Sequence, residues 1–282
     1  MSFNGLLTRV SENPMRTAEF PFVLVLACSW LVALVLCASF AAFLGADPLQ
    51  IDLSIRLMPP SLSHWLGTDE LGRDLLSRLL HAASFTLWVT VAATLLSLTL
   101  GFLLGTVAAW FGHIVDSVIM AVVNVFWSIP FAIFAVLLIA VVGVSAGTLI
   151  LAIGGVNWVT SARVFRTEMI RLRQSEFLRA ARALGFPAWY ILVRHALPNL
   201  RTTVINIAGY SAAETMTLES GLAFLGLSLP PPLPTWGGIM ADGLSYLSTG
   251  WWISVLPAVA ITITLGSLRV ITNHAEQLSS HQ

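Results

Sequence analysis

There is no lysine anywhere in these 282 residues; all 14 basic side chains are arginine. Without lysine the phosphate-cradling loop G-x-x-x-x-G-K-[ST] cannot be written, so nucleotide hydrolysis of that kind is excluded on this chain. Charge of either sign is scarce, at 10% of residues, and it sums to a formal net charge of zero. Cysteine is nearly absent. Cys28 and Cys37 lie nine positions apart, about 180° around a helix, so they cannot pair and read as small apolar packing residues. Histidines 64, 81, 113, 195, 274 and 281 are scattered without helical ligand spacing. No metal site is expected, and His274 with His281 makes at most a weak one in the tail.

What the chain has instead is apolar length. It is 57% hydrophobic with a mean hydropathy of +0.85, outside the range of soluble proteins. Runs of about 20 apolar residues mark membrane helices, and six are expected: Phe22–Leu44, Phe85–Trp110, Ser117–Val142, Gly147–Ala162, Thr203–Leu222 and Trp251–Val270. The first is too long for a signal-peptide core and reads as retained. The zero net charge hides a local bias. Eight arginines fall between Arg163 and Arg201 against only Glu168 and Glu176. Between Asp47 and Arg78 the acids Asp47, Asp52, Asp69, Glu70 and Asp74 outnumber Arg56, Arg73 and Arg78. The positive-inside rule puts residues 163–201 in the cytoplasm, and counting back four spans puts the N-terminus there too, with 46–84 outside. The expected organisation is an N-terminal tail over 1–21, one membrane domain over 22–272 and a C-terminal tail over 273–282, both tails cytoplasmic.

Glu176 to Asn199 reads EFLRAARALGFPAWYILVRHALPN. Ala180-Ala181, Leu184 and Ala188 recur near a helical period, and Gly185 and Pro187 break the run into two short amphipathic helices. The spacing Ala180-Ala181, Gly185, Leu197-Pro198 resembles the coupling loop of ABC importer permeases. A second string, Leu66-Gly67-Thr68-Asp69-Glu70-Leu71-Gly72-Arg73-Asp74, resembles the dipeptide, oligopeptide and nickel importer permeases, in the branch that supplies the second of two permease subunits. The late string Glu219-Ser220-Gly221-Leu222-Ala223-Phe224-Leu225-Gly226-Leu227 fits the same family, so the resemblance spans about residues 50–270.

The resemblance implies an all-α integral membrane protein with the six-helix fold of type I ABC importer permeases, in the bacterial inner membrane. It implies a related permease partner, two cytoplasmic ATPase subunits that hold the ATP and magnesium, and an extracytoplasmic substrate-binding protein. Coupling would fall to Glu176, Arg179, Ala180, Ala181, Gly185, Pro187, Leu197 and Pro198. The family pattern has a glutamate where this chain has Arg179, so that contact is lost or reversed in sign. Cargo would be di- or oligopeptides, or alternatively nickel or a metal chelate, with no catalytic residue on this chain.

Residue chemistry alone selects Glu214 and Glu219 as candidate pathway residues, with Glu214 expected to attract cationic cargo, since intramembrane carboxylates are costly and face cavities or partners. Five positions apart, they diverge by about 140° and cannot both point down one path. Glu219 matches the family's acid and is expected to brace the helix. Asp69, Arg73, Asp74 and Trp236 are the candidate contacts for a binding protein on the outer face, where Gly67-Thr68-Asp69 reads as a turn into a surface helix that contains Arg78 and precedes the second span. Gly101 and Gly105 form a G-x-x-x-G spacing expected to pack inside the subunit. Ser128-Ile129-Pro130 is expected to kink the third span, and Asp116 suits the dipole at its start.

Other readings fit less of the chain. Gly143-Val144-Ser145-Ala146-Gly147 matches G-x-S-x-G, but it falls in a short interspan link rather than on a strand-to-helix turn. Arginines interrupting six spans and spread around short helices do not make a nucleic-acid surface, and anionic lipid head groups suit them better. An ion-coupled secondary transporter would explain the intramembrane acids but not the arginine-rich insertion.

Overall fold

A computed structural model of the chain describes residues 14–41 and 47–280, and the side chains of 22–41 and 47–277. The first 13 residues of the expected tail, the end of the first span beyond residue 41, and His281 lie outside the described residues. Ten α-helices of four residues or more organise the described residues. They are α1 (Pro14–Ser39), α2 (Leu75–Phe111), α3 (His113–Ser128), α4 (Phe131–Val142), α5 (Ala146–Arg173), α6 (Glu176–Ala183), α7 (Ala188–Ile191), α8 (Arg201–Phe224), α9 (Trp236–Asp242) and α10 (Trp252–Ser280). The described part of the C-terminal tail expected over 273–282 is helical, continuing α10 to Ser280.

Four helices, α1, α2, α5 and α10, are long and apolar enough to cross a membrane individually. The other two expected spans take different forms. The third is not one kinked helix: α3 and α4 meet at 86°. Ile129 and Pro130 are both extended, with ψ of 120° and 127°. A residue before proline is driven out of helical space, and proline brings no N–H to continue the ladder. The fifth span is α8, whose 24 residues reach about 36 Å at a rise of 1.5 Å per residue. It carries too many polar side chains to stand in lipid alone, and it packs against α2, α5, α9 and α10.

The expected surface helix before the second span is absent as a separate element. Asp74 caps α2 by accepting from the Ser77 amide at 2.8 Å, and the helix runs unbroken for 37 residues to Phe111. Its central partner is α5. Lipid tails are as apolar as leucine, so helices in a membrane gain mainly from close packing, which small residues permit. A Cβ on Gly101 would strike Ser161, and one on Gly105 the carbonyl of Ala162. Phe102 and Phe165 lock the same seam edge to face, with centroids 5.2 Å apart. Across the bundle, the Trp30 indole donates to Thr264 Oγ1 at 3.0 Å and ties α1 to α10. Ser145, the serine of the G-x-S-x-G string, caps α5 by accepting from the Thr148 amide at 3.0 Å.

Candidate functional site

The arginine-rich loop is built on the ends of α2 and α5. Leu178 and Ala181 are buried with Ala109, Met169, Leu172, Ile191, Ala196 and Leu200. Arg173 donates to the Ala109 carbonyl, and Arg182 donates to the Arg173 carbonyl. α6 ends in a left-handed glycine, Gly185 at φ +79°. The Gly185 amide donates to Arg182 O at 3.0 Å and the Phe186 amide to Ala181 O at 3.3 Å. This paired closure satisfies the last carbonyls of the helix and turns the chain. Pro187 then caps α7, which runs through a π turn over Leu192–Ala196 into the short helix Leu197–Asn199.

Two short helices therefore lie across the arginine-rich end, as expected, but the alanines divide. Ala181 packs inward while Ala180 faces out with Glu176, Arg179, Gly185, Pro187 and Pro198; Leu197 is half-buried. Neighbouring residues on a helix diverge by about 100°, so a pair of alanines cannot serve one face. The outward face also carries Phe177, Phe186, Val193, Leu184 at 76% exposure and Trp189 at 67%. A patch of that kind on a protein otherwise charged at this end marks an interaction site. Beside it, Arg173, Gln174, Arg179 and Arg182 line a cavity of about 420 Å³.

Above the loop, α5 is tied to α3 by contacts the sequence reading missed. Arg166 grips Asp116 with two bonds of 2.5 and 2.6 Å. Arg163 donates to Asn124 Oδ1 at 2.9 Å and stacks 4.4 Å over the Trp127 ring. The available signal was the i, i+3 spacing of two arginines opposite a single acid in an otherwise apolar helix.

In the bundle, Glu214 and Glu219 do separate. Glu214 is half-buried and lines two cavities, one of about 420 Å³ with Asn157, Asn206, Tyr210 and Ser211, the other of about 250 Å³ with Thr217 and Arg269. Glu219 is fully buried and lines neither; its Oε2 accepts from Ser220 Oγ at 3.4 Å.

At the opposite end three of the four candidate contact residues, Asp69, Arg73 and Trp236, are buried rather than displayed to a partner, and Asp74 is half-buried. Asp69 has no exposed surface and accepts from the amides of Leu71 and Arg73 at 2.9 Å each, from Arg73 Nε at 2.6 Å and from Arg78. Arg73 reaches Glu70 at 2.7 Å, and Arg78 reaches Asp242 at 3.5 Å. Burial, with Asp69 beside it, raises the Glu70 carboxyl above its ordinary 4.5. Asp74 is spent on the α2 cap and on His64 at 3.0 Å. Trp236 is buried, its indole donating to the Leu79 carbonyl at 3.0 Å. These residues fold the end of the bundle. The surface they support exposes Leu62, Trp65 and Leu233 instead.

The profile of binding-protein-dependent transport system inner membrane components matches residues 98–277, from mid-α2 through most of α10. The chain belongs to this family. It is thus a permease component of the bacterial inner membrane. A Brucella suis biovar 1 (strain 1330) protein provisionally named a peptide transport system permease is 33% identical over 258 residues, 91% of this chain and 86% of that one. The dipeptide transport system permease protein DppC of Bacillus subtilis (strain 168) is 33% identical over 215 residues, covering 76% of this permease and 67% of its relative. Among solved structures, a chain of the MetNI methionine ABC transporter in an inward-facing conformation superposes with a TM-score of 0.57 at 18% identity. It covers 71% of this permease and 97% of that chain, so the two share the type I importer permease fold.

Proposed function

We propose that this permease forms half of the path of an ATP-driven importer for di- and oligopeptides, with α6 and α7 as the seat of a cytoplasmic ATPase. The observation that carries the reading is the outward apolar face of Phe177, Leu184 and Trp189, seated on the ends of α2 and α5 by the buried Leu178 and Ala181. The peptide relatives support the cargo. ATP and magnesium belong to two ATPase subunits. A related permease supplies the other half of the path, and a binding protein delivers cargo at the end bearing Trp65 and Leu233. The chain itself does no chemistry. Closure of the ATPases moves α6 and α7, the bent α3–α4 pair and polar α8 shift with them, and the path opens outward, to be reset on hydrolysis.

Gly185→Val tests the seat. A β-branched residue at φ +79° carries backbone strain of about 1–3 kcal/mol, although nothing crowds the position. The variant should insert and pair with its partner permease while ATPase activity stimulated by loaded binding protein is lost. Normal stimulated activity would remove α6 and α7 from the coupling path.

A further inference from the structure

The 420 Å³ cavity between α5, α8 and α10 carries polar atoms that the fold does not use. Asn157 Nδ2, Asn206 Oδ1 and Ser211 Oγ are buried without a hydrogen-bond partner, on residues of which Asn157 is 6% and Ser211 3% exposed. Buried polar groups are nearly always satisfied, and lipid tails offer neither donors nor acceptors, so atoms left over beside a cavity point to an occupant. The set contains both a donor and an acceptor amide atom, which is the complement of a peptide unit. The two carboxyl side chains on the wall are Glu214 and Glu276, with no arginine among the lining residues. Glu214 forms no ion pair among the described residues. The volume lies within the range of about 300–1,000 Å³ typical of small-ligand sites.

We infer that this cavity is a subsite on the path for the amino-terminal end of a short peptide. Glu214 holds the ammonium group, while Asn157 donates to the first carbonyl and Asn206 and Ser211 take the first amide N–H. The inference rests on the peptide-importer reading and adds to it the chemistry of the cargo and the residues that meet it. Glu219, buried elsewhere on α8, has no part in it.

Two measurements on the complete transporter in proteoliposomes test this. In the first, labelled trialanine is supplied on saturating binding protein. Glu214→Gln and the double variant Asn157→Leu/Ser211→Ala should each lower uptake about tenfold, with Glu214→Asp restoring most of it and stimulated ATPase activity staying within twofold of wild type. In the second, Ser211→Cys is made with Cys28→Ala and Cys37→Ala. A cationic methanethiosulfonate should label it about tenfold faster than an anionic one, and Glu214→Gln should erase that preference. Uptake by both variants within twofold of wild type, or labelling that is absent or indifferent to charge, overturns the subsite. Wild-type protein that fails to take up any peptide overturns the underlying reading instead.

Discussion

Replacing Asp69 by alanine should destabilise the permease far more than it weakens any partner contact. The carboxylate receives four hydrogen bonds, from two amides and two guanidinium groups, with no surface exposed. Without it Arg73 keeps Glu70 at 2.7 Å, but Arg78 keeps only a long contact of 3.5 Å to Asp242, and its Nε already has no partner. Removing one side of a buried ion pair typically costs about 3–5 kcal/mol, because the remaining charge is stranded. Replacing both sides with apolar groups is often close to neutral. Asp69→Ala should therefore lose about 3–5 kcal/mol, and Asp69→Ala/Arg78→Met should recover at least half of it. Denaturant unfolding of the purified permease in mild detergent measures the stability, and titration with binding protein measures the contact. A loss below about 1 kcal/mol together with a tenfold weaker contact would show that Asp69 is displayed after all, and that its burial among the arginines is not the reason for its place in the chain.

Three further outcomes follow from the packing and charge. Gly105→Leu puts a side chain into the Ala162 carbonyl of α5, where overpacking costs about 1–3 kcal/mol or more; the yield of folded permease should fall sharply, and near-normal yield would mean the α2–α5 seam is looser than described. Asp116→Arg should disrupt the α3–α5 contact and Asp116→Arg/Arg166→Asp should restore transport, because Asp116 and Arg166 meet through two bonds; a swap no better than the single change would count against a paired role. For Glu70 the folded carboxyl binds its proton more readily than the unfolded one. Stability should then fall as pH rises from 4.5 through the raised value, and Glu70→Gln should be the more stable protein above that window; melting curves against pH that superpose for the two proteins would contradict this.

Much of the working surface was legible because it rests on local rules. Gly185 and Pro187 act through their own backbones, so the break between α6 and α7 could be read directly. Gly101 and Gly105 act through spacing on one helix, and they pack inside the subunit as their pattern implies. The inaccuracies lie where distant residues decide. Asp69, Arg73 and Asp74 look like a solvated surface helix in isolation; Asp242 and Trp252, more than 160 positions away, help to bury that segment. Ala180 and Ala181 form one motif in sequence, yet only the second meets the C-terminal ends of α2 and α5 beneath the loop. Proline announces a break before α4 but not its 86° size, which depends on two successive extended residues. The polarity of α8 weakens it as a membrane span, and its burial among four other helices explains why it can carry Asn206, Ser211, Glu214 and Glu219.

On the proposed reading this permease moves peptides only when a separate ATPase drives it. Uptake of labelled di- and oligopeptides by cells carrying the whole operon, beside a strain whose ATPase cannot hydrolyse, tests it directly. Peptide should accumulate in the first strain and not in the second. Accumulation that persists without hydrolysis, or an active transporter that ignores peptides and takes up nickel or its chelates, would contradict it.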